Sequence, residues 1–384
     1  MEINAVAFDA KRAFNNFTGL GNYSRLVLEL LYLTKPEWKY LLYTPKLPKI
    51  PPVIPLLENP ANKVVTPPGP MARLTGSFWR TWGVTSRLRN DGASLYHGLS
   101  NELPLNIHKA GVPSVVTIHD LIFRRFPQYY KPVDRKIYDY KFRRAAELAT
   151  RVIAISEQTR HDIMQFYNIP PEKIDVVYQG CDAQFQRPVA PEQIREVKRK
   201  YGLSHPYIIG VGTIEERKNQ MLTAQALPQL PGDIHLVLVG RNARGYADKI
   251  MRYAAQNGLS ERIHILSGIP FSDFPPLYAG AILSSYPSRF EGFGIPVIES
   301  ISAGTPVIVG KGSCLEEAAG EHAPAVDCDD VDEFASRALE IIESDDLRTF
   351  LVEEGRKHIA RFSHRNCAEG IIQTYHKAID QYAG

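Results

Sequence analysis

The chain has 384 residues, of which 44% are hydrophobic and 23% charged, with a net charge of +3 at neutral pH. That length suits two domains of ordinary size, and the composition excludes a collagen, a coiled coil or a disordered chain. No uncharged apolar run approaches the roughly 18 residues of a membrane-spanning helix. The four cysteines, Cys181, Cys314, Cys328 and Cys367, are scattered without a CxxC pair, so neither a zinc site nor a disulfide framework is indicated.

The charge is unevenly divided. Residues 1–184 carry 24 Lys and Arg against 16 Asp and Glu, whereas residues 185–384 carry 21 against 26. A basic first half beside an acidic second half points to an anionic partner for one of them. The opening residues, MEINAVAFDA, hold Glu2 and Asp9 and lack the basic and apolar regions of a signal peptide, so a cytoplasmic protein is expected.

Short apolar, β-branched runs alternate along the chain with helix-length amphipathic stretches, the pattern of βαβ units around parallel sheets. In the first half the strands are predicted at residues 3–8, 40–43, 94–97, 114–118, 151–155 and 175–178, with helices at 22–34, 133–149 and 157–166. In the second half strands are predicted at 207–211, 235–239, 264–266, 282–285, 306–309 and 325–327. Helices are predicted there at 220–230, 246–257, 296–303, 332–343 and 347–360. Each half therefore reads as a doubly wound α/β domain, 1–184 and 185–365, joined near 179–191. A final helix at 366–382 has no strand after it and is expected to pack back on the first domain. Residues 44–70 hold nine prolines and read as an irregular extended loop.

Several stretches carry candidate chemistry. In NNFTGLGNYS, Gly19 and Gly21 precede a helix and would let backbone amides approach a phosphate. As a dinucleotide fingerprint the string is poor, because about ten residues part it from its strand. Residues 71–90 hold Arg73, Arg80, Arg87 and Arg89 with Phe78, Trp79 and Trp82 and no acid, and residues 124–144 add eight more cations. Arginines among aromatics suit an anionic membrane surface or a phosphate-bearing acceptor. A solvated helix with its aromatics in the core is the plain alternative, and no nucleic-acid module accompanies the charge. In VVTIHD, His119 directly follows a strand. In VGTIEERKNQ, Arg217 and Lys218 stand at the end of a strand and before a helix, where α/β sheets bind ligands and a diphosphate could be neutralised.

The most informative stretch is SSYPSRFEGFGIPVIESISAGTPVIVG, residues 284–310. Gly292 and Gly294 allow close approach of a ligand, Pro296 opens a helix, and the free amides of that helix start suit an anion or a polar hydroxyl. Glu291 stands before the helix and Glu299 one turn inside it, with Phe293, Ile295, Val297 and Ile298 between them. Taken singly, each glutamate could be an ordinary surface residue.

Taken together, the string Glu291-x7-Glu299 within SRFEGFGIPVIESISAGTPV closely resembles the signature of glycosyltransferase family 4, nucleotide-sugar transferases that retain anomeric configuration. The resemblance spans nearly the whole chain and implies the GT-B architecture, two Rossmann-like domains facing across a cleft, the first binding the acceptor and the second the nucleotide sugar. It implies that Glu291 touches hydroxyls of the donor sugar, that the amides of Phe293, Gly294 and Ile295 hold sugar and distal phosphate, and that Glu299 accepts hydrogen bonds from the ribose diol. Lys218 matches the diphosphate-binding lysine. Thr213 stands where many members carry a cation, a charge that Arg217 would supply instead. His119 matches a histidine near the donor sugar, and Gly19 and Gly21 lie in a loop beside donor phosphates or acceptor. Arg241 and Ile269, in VGR and LSGIP, match segments lining the nucleoside pocket.

A different glycosyltransferase fold holds a divalent ion with Asp-x-Asp. The one such string, Asp330-Val331-Asp332, precedes a helix and is explained by N-capping, so no metal and no cofactor are expected. The resemblance thus implies transfer of a hexose, mannose from GDP-mannose first, to a hydroxyl of a glycan or lipid-linked glycan during polysaccharide synthesis. A UDP-sugar donor and a silent nucleotide-sugar-binding protein remain as alternatives. A nucleotide-sugar epimerase and an NAD oxidoreductase fit less well.

Overall fold

The computed structural model describes residues 2–48, 53–69 and 76–383. The chain divides into two compact units, Met1–Gln179 with His364–Gly384, and Gly180–Ser363. Each is a doubly wound parallel sheet clad in helices, the fold class the sequence implies.

The first sheet has seven parallel strands: β1 (Ala5–Asp9), β2 (Lys39–Tyr43), β3 (Asn62–Val65), β4 (Leu95–Gly98), β5 (Ser114–Ile118), β6 (Arg151–Ala154) and β7 (Ile174–Val176). Their spatial order is 3-2-1-4-5-6-7. Central strands are covered on both faces, so β1 and β5 are buried at every residue, and their sequences AVAFD and SVVTI are nearly continuous apolar runs. The helix Gly19–Thr34 buries Val27, Leu28 and Leu31. The terminal helix His364–Ala383 packs on that helix and on β5 and β6, burying Cys367, Ile371 and Tyr375. Tyr375 is fixed there by a 2.7 Å bond between its hydroxyl and Nδ1 of His97.

The proline-rich stretch is not wholly irregular, which corrects the expectation of a loop through 44–70. It contains a short helix, Ile54–Glu58, with proline in its first turn, where the missing N–H costs nothing. It also contains β3, an edge strand paired only with β2, a place where nearby prolines interrupt no ladder on the far side. Pro51, Pro52 and Pro70, and Arg73 of the basic segment, lie outside the described residues.

The second sheet has six parallel strands: β8 (Tyr207–Val211), β9 (His235–Val239), β10 (Ile263–Leu266), β11 (Leu283–Tyr286), β12 (Val307–Gly310) and β13 (Ala325–Val326), in the order 10-9-8-11-12-13. The two orders are the same pattern. In each, the direction of winding reverses beside the first strand, between β1 and β4 and between β8 and β11. Open α/β sheets bind ligands beyond the carboxyl ends of the strands at such a reversal.

Candidate functional site

At the reversal point of the second sheet, β8 and β11 end side by side. Beyond β8 a single 3-10 turn, Glu216–Lys218, carries Arg217 and Lys218, and a left-handed Asn219 (φ 55°) redirects the chain into the next helix. The Asn219 side chain locks the turn by donating to the Cys328 carbonyl at 2.7 Å. Beyond β11, residues 287–294 lead to the helix Ile295–Ser302, and this loop carries Glu291. Gly294 sits at φ 128°, and a Cβ there would meet Leu315 at 2.9 Å, so the helix can begin this close to its neighbour only with glycine. The loop is tied down by the Cys314 thiol, 3.0 Å from the carbonyls of both Glu291 and Phe293.

The two segments meet in a charged cluster. Nη1 of Arg217 lies 2.8 Å from Oε2 of Glu291, and Nζ of Lys218 lies 2.7 Å from Oε1. Arg217 also donates to the Phe290 carbonyl and to Glu215, each at 2.6 Å. Lys218 donates to the Tyr286 hydroxyl and sits 4.7 Å from the centre of that ring. Burial alone would raise the Glu291 carboxyl, but Arg217 and Lys218 overcome it and hold the group down at about 2. Burial likewise opposes charge on Lys218, yet Glu291 keeps its ammonium protonated and raises it. The sequence candidates Arg217, Lys218 and Glu291 are therefore brought together as one ionic group, which Glu215, paired with Arg217 at its more exposed edge, brings to charge balance.

Glu299, one turn into the helix, is in a contrasting setting. Among the described residues its one close side-chain donor is the Tyr278 hydroxyl at 3.4 Å, and no cation pairs with it. Burial pushes its carboxyl up to about 7. Phe293 turns its ring into the core, 5.1 Å from Phe362 and edge-on, so its side chain is not presented to a ligand. Ile295 lies in the first turn of the helix, where an amide has no acceptor within the helix itself.

Beyond the ends of β9 and β10 lies a cavity of about 720 Å³, lined among others by Arg241, Asn242, Asp248, Ser267, Ile269 and Phe274. It is of the size that encloses a small organic ligand, and it brings Arg241 and Ile269 together. Thr213 lies just past β8, where its carbonyl accepts from the Gln220 side chain at 3.0 Å.

The remaining candidates belong to the first unit. His119 follows β5 and is 5% exposed. Its amide donates to Asn101 at 2.7 Å, and Nε2 lies 2.9 Å from the Leu99 carbonyl, so Nε2 carries the proton and Nδ1 is left as an acceptor. Burial lowers its pKa to about 4, so the ring is neutral near pH 7. Gly19 and Gly21 form the first turn of the helix Gly19–Thr34 rather than a loop before it. A Cβ on Gly21 would fall 1.8 Å from the Asn16 carbonyl, and its amide donates to Thr18, so packing against the preceding turn accounts for this glycine.

Two features were not visible in sequence. Tyr286, the last residue of β11, offers its hydroxyl to both Lys218 and Glu291, and nothing distinguishes it beforehand from an apolar strand residue. Arg80, read as part of an exposed or solvated basic segment, is instead 9% exposed and bound to Asp9 and Glu102. The acids are distant in sequence, so the charge of residues 71–90 looked unopposed. In the Asp330-Val331-Asp332 string, Asp330 caps the helix Val331–Glu343 by accepting from the Glu333 amide at 2.8 Å.

Against known proteins, the family Glycosyl transferases group 1 matches residues 193–358, and Glycosyltransferase Family 4 matches residues 27–185. O-antigen chain mannosyltransferase B of Escherichia coli is 30% identical over 293 residues, covering 75% of each chain. MMP alpha-(1->4)-mannosyltransferase of Mycolicibacterium hassiacum is 27% identical over 73% of this chain and 69% of its own. Among solved structures, Anabaena HepE in complex with UDP and glucose superposes with a TM-score of 0.75 at 18% identity, over 97% of this chain and 99% of its own. The lipopolysaccharide glycosyltransferase WaaG superposes at 0.68 and 18% identity, over 99% and 100%.

Proposed function

The chain belongs to glycosyltransferase family 4, and from that premise we propose that it transfers mannose from GDP-mannose, with retention, to a hydroxyl of a growing glycan or lipid-linked glycan. The observation that carries the reading is the Arg217–Lys218–Glu291 cluster at the reversal point of the second sheet. Two part-buried cations converge on one carboxylate, with Glu215 at the more exposed edge of Arg217, so that both can turn to the negative charge a departing nucleoside diphosphate would develop. The cavity with Arg241 and Ile269 takes the nucleoside in this reading. The amides of Phe293, Gly294 and Ile295 take sugar and distal phosphate, Glu299 takes the ribose hydroxyls, and Thr213 lines the approach.

Retention by double displacement would need a nucleophilic carboxylate under the anomeric carbon. Glu291 is unsuited, because two cations already occupy both of its oxygens and hold its basicity down. We favour a single front-face substitution. The bond from the anomeric carbon to the diphosphate oxygen breaks, the acceptor oxygen bonds to that carbon on the same face, and the acceptor proton passes to the departing phosphate. Arg217 and Lys218 supply the charge that another transferase fold draws from a metal, which supports a metal-independent reaction. Neutral His119 serves as a positioning group for the donor sugar, and Gly19 and Gly21 set the turn beside it.

Mannose as the sugar is supported by the Escherichia coli relative, and GDP follows from that choice. A UDP-sugar donor is the second reading, favoured by HepE, whose structure holds UDP and glucose. Peripheral membrane contact belongs to the same proposal. The helix Pro132–Leu148 exposes Val133, Ile137 and Tyr140 on one face among lysines and arginines, although no described helix is long and apolar enough to cross a bilayer.

A nucleotide-sugar panel in the presence of EDTA tests the reading by thermal shift and donor hydrolysis, with wild type and Lys218→Ala side by side. Stabilisation by GDP-mannose with slow GDP release, lost in Lys218→Ala, is expected. Preference for UDP-sugars would move the donor to the second reading, and silence toward every donor would sink the transferase.

A further inference from the structure

The reversal point of the first sheet carries its own buried charges, and the reading above uses none of them. Asp9 is the last residue of β1, and Glu102 lies four residues past the end of β4, so the two carboxylates flank the place where the winding reverses. Arg80 lies between them. Its Nε and Nη2 each stand 2.7 Å from Oδ2 of Asp9, and Nη1 stands 2.8 Å from Oε2 of Glu102. Lys141 approaches the same Glu102 oxygen at 3.4 Å from the neighbouring helix. The side chains of Asp9 and Arg80 are 4% and 10% exposed, whereas Glu102 and Lys141, at 18% and 32%, reach the surface.

These four residues border a small niche whose other wall is Leu103, Pro104 and Leu105. Its free space is about 10 Å³, room for one water-sized group. Polar capacity remains unused around it. Among the described residues, Oε1 of Glu102 accepts no hydrogen bond, and Lys141 has a single long one. The Tyr96 hydroxyl on β4, fully buried and within the field of Asp9, Arg80 and Glu102, has no partner. The same is true of the Ser100 hydroxyl on the loop that leads to Glu102.

The charge balance says what such a site selects. In the second sheet two cations converge on one carboxylate, an arrangement in which either can turn to an arriving anion. Here Arg80 is consumed by two carboxylates, and what is left is a carboxylate oxygen that accepts beside an ammonium that donates. That pair fits a hydroxyl group, which gives one hydrogen bond and receives another. The apolar wall suits the carbon face of a sugar ring.

We propose that this crevice is a subsite for a neutral saccharide, with one hydroxyl inserted between Glu102 and Lys141 and the Asp9–Arg80 pair holding Glu102 in place. On the transferase reading, on which the role but not the binding depends, the saccharide is the acceptor.

Saturation-transfer NMR with neutral methyl glycosides (mannoside, glucoside and galactoside) tests the site without any donor. Wild type is expected to bind at least one of them. Lys141→Met and Glu102→Gln should each weaken that binding about tenfold or more, as loss of a hydrogen bond to a charged group does. Lys109→Met, exposed and outside the niche, is the control that leaves it unaltered. Because Glu102→Gln also loosens Arg80 and can fail to fold, the rim variant Lys141→Met decides the matter if it does. No neutral glycoside bound by wild type, unaltered binding in Lys141→Met, or selective binding of inorganic phosphate at this site would each overturn the proposal. Failure to bind any nucleotide sugar would remove the transferase reading and leave the glycoside result standing.

Discussion

The two sheets share one pattern of strand order, yet the ion clusters at their reversal points are centred on opposite charges. Beyond β8 and β11, Arg217 and Lys218 surround one carboxylate, Glu291. Beyond β1 and β4, two carboxylates, Asp9 and Glu102, surround one buried guanidinium, Arg80. Topology fixes where a ligand can sit, because strand ends and helix starts open a crevice there whatever the sequence. In the readings proposed above, the ligand accepted is decided by a few side chains on the loops, cations converging on a carboxylate at one point and carboxylates on a guanidinium at the other.

The largest effect expected from breaking this contrast is structural. Arg80→Ala leaves Asp9 buried without its cation and Glu102 held by its 3.4 Å contact to Lys141, which should cost about 3–5 kcal/mol in the first unit, read as a lowered denaturant midpoint. A loss below about 1 kcal/mol, the range of exposed pairs, would show that the cluster is solvated. Next comes Lys218→Ala in the second unit. Removing one of two cations that meet developing charge should lower turnover about 10²–10³-fold. It should also let the Glu291 carboxyl rise from about 2, because one of its two opposing charges is gone. Unchanged turnover would place the departing diphosphate elsewhere.

Acidity separates the two glutamates of the same motif. Glu291 is lowered in the fold from an ordinary 4.5 to about 2, so its contribution to stability is present above pH 4.5 and is lost as pH falls from there toward 2. Glu299 is raised by burial to about 7, so its effect runs the other way. The native state is favoured below pH 4.5 and loses that advantage as pH climbs through 7. A donor whose ribose hydroxyls need the ionised carboxylate should therefore bind about tenfold more weakly for each unit below pH 7 and level off above. Calorimetric titration with GDP at several pH values reads this directly. In Glu299→Gln the slope should vanish, and a slope that survives would belong to another group.

Much of the fold was legible because parallel strands covered on both faces are apolar over most of their length, as AVAFD, SVVTI and YIIGV are. The strand β3 was missed because proline density outvoted the short run NKVV, and only the open edge of β2 gives that run a partner. The cluster of Arg217, Lys218 and Glu291 was legible because each lies in a contiguous motif with a recognisable register. The partners of Arg80 were not, since Asp9 and Glu102 are 71 and 22 residues away and only the sheet brings them together. A surplus of arginine in a stretch of sequence therefore says little about exposed charge until the fold has placed the acids.

Tyr286 offers the smallest effect and the finest test of how the second reversal point works. Its hydroxyl touches Lys218 and lies 3.4 Å from Glu291, while burial pushes its own pKa up to about 12, so it stays a neutral donor and acceptor. Removing the hydroxyl in Tyr286→Phe leaves the ring beneath Lys218 and both ion pairs to Glu291 intact. If the hydroxyl only steadies the lysine, turnover should fall a few-fold, the worth of one hydrogen bond between groups that keep other partners. Donor KM should then change by the same small factor, because a wandering lysine weakens ground state and transition state alike. If Tyr286 itself donates to the departing diphosphate, the loss should approach that of Lys218→Ala and fall on kcat alone. The size of the loss and its division between kcat and KM thus show whether the anion site has two working charges or a third polar contact beside them.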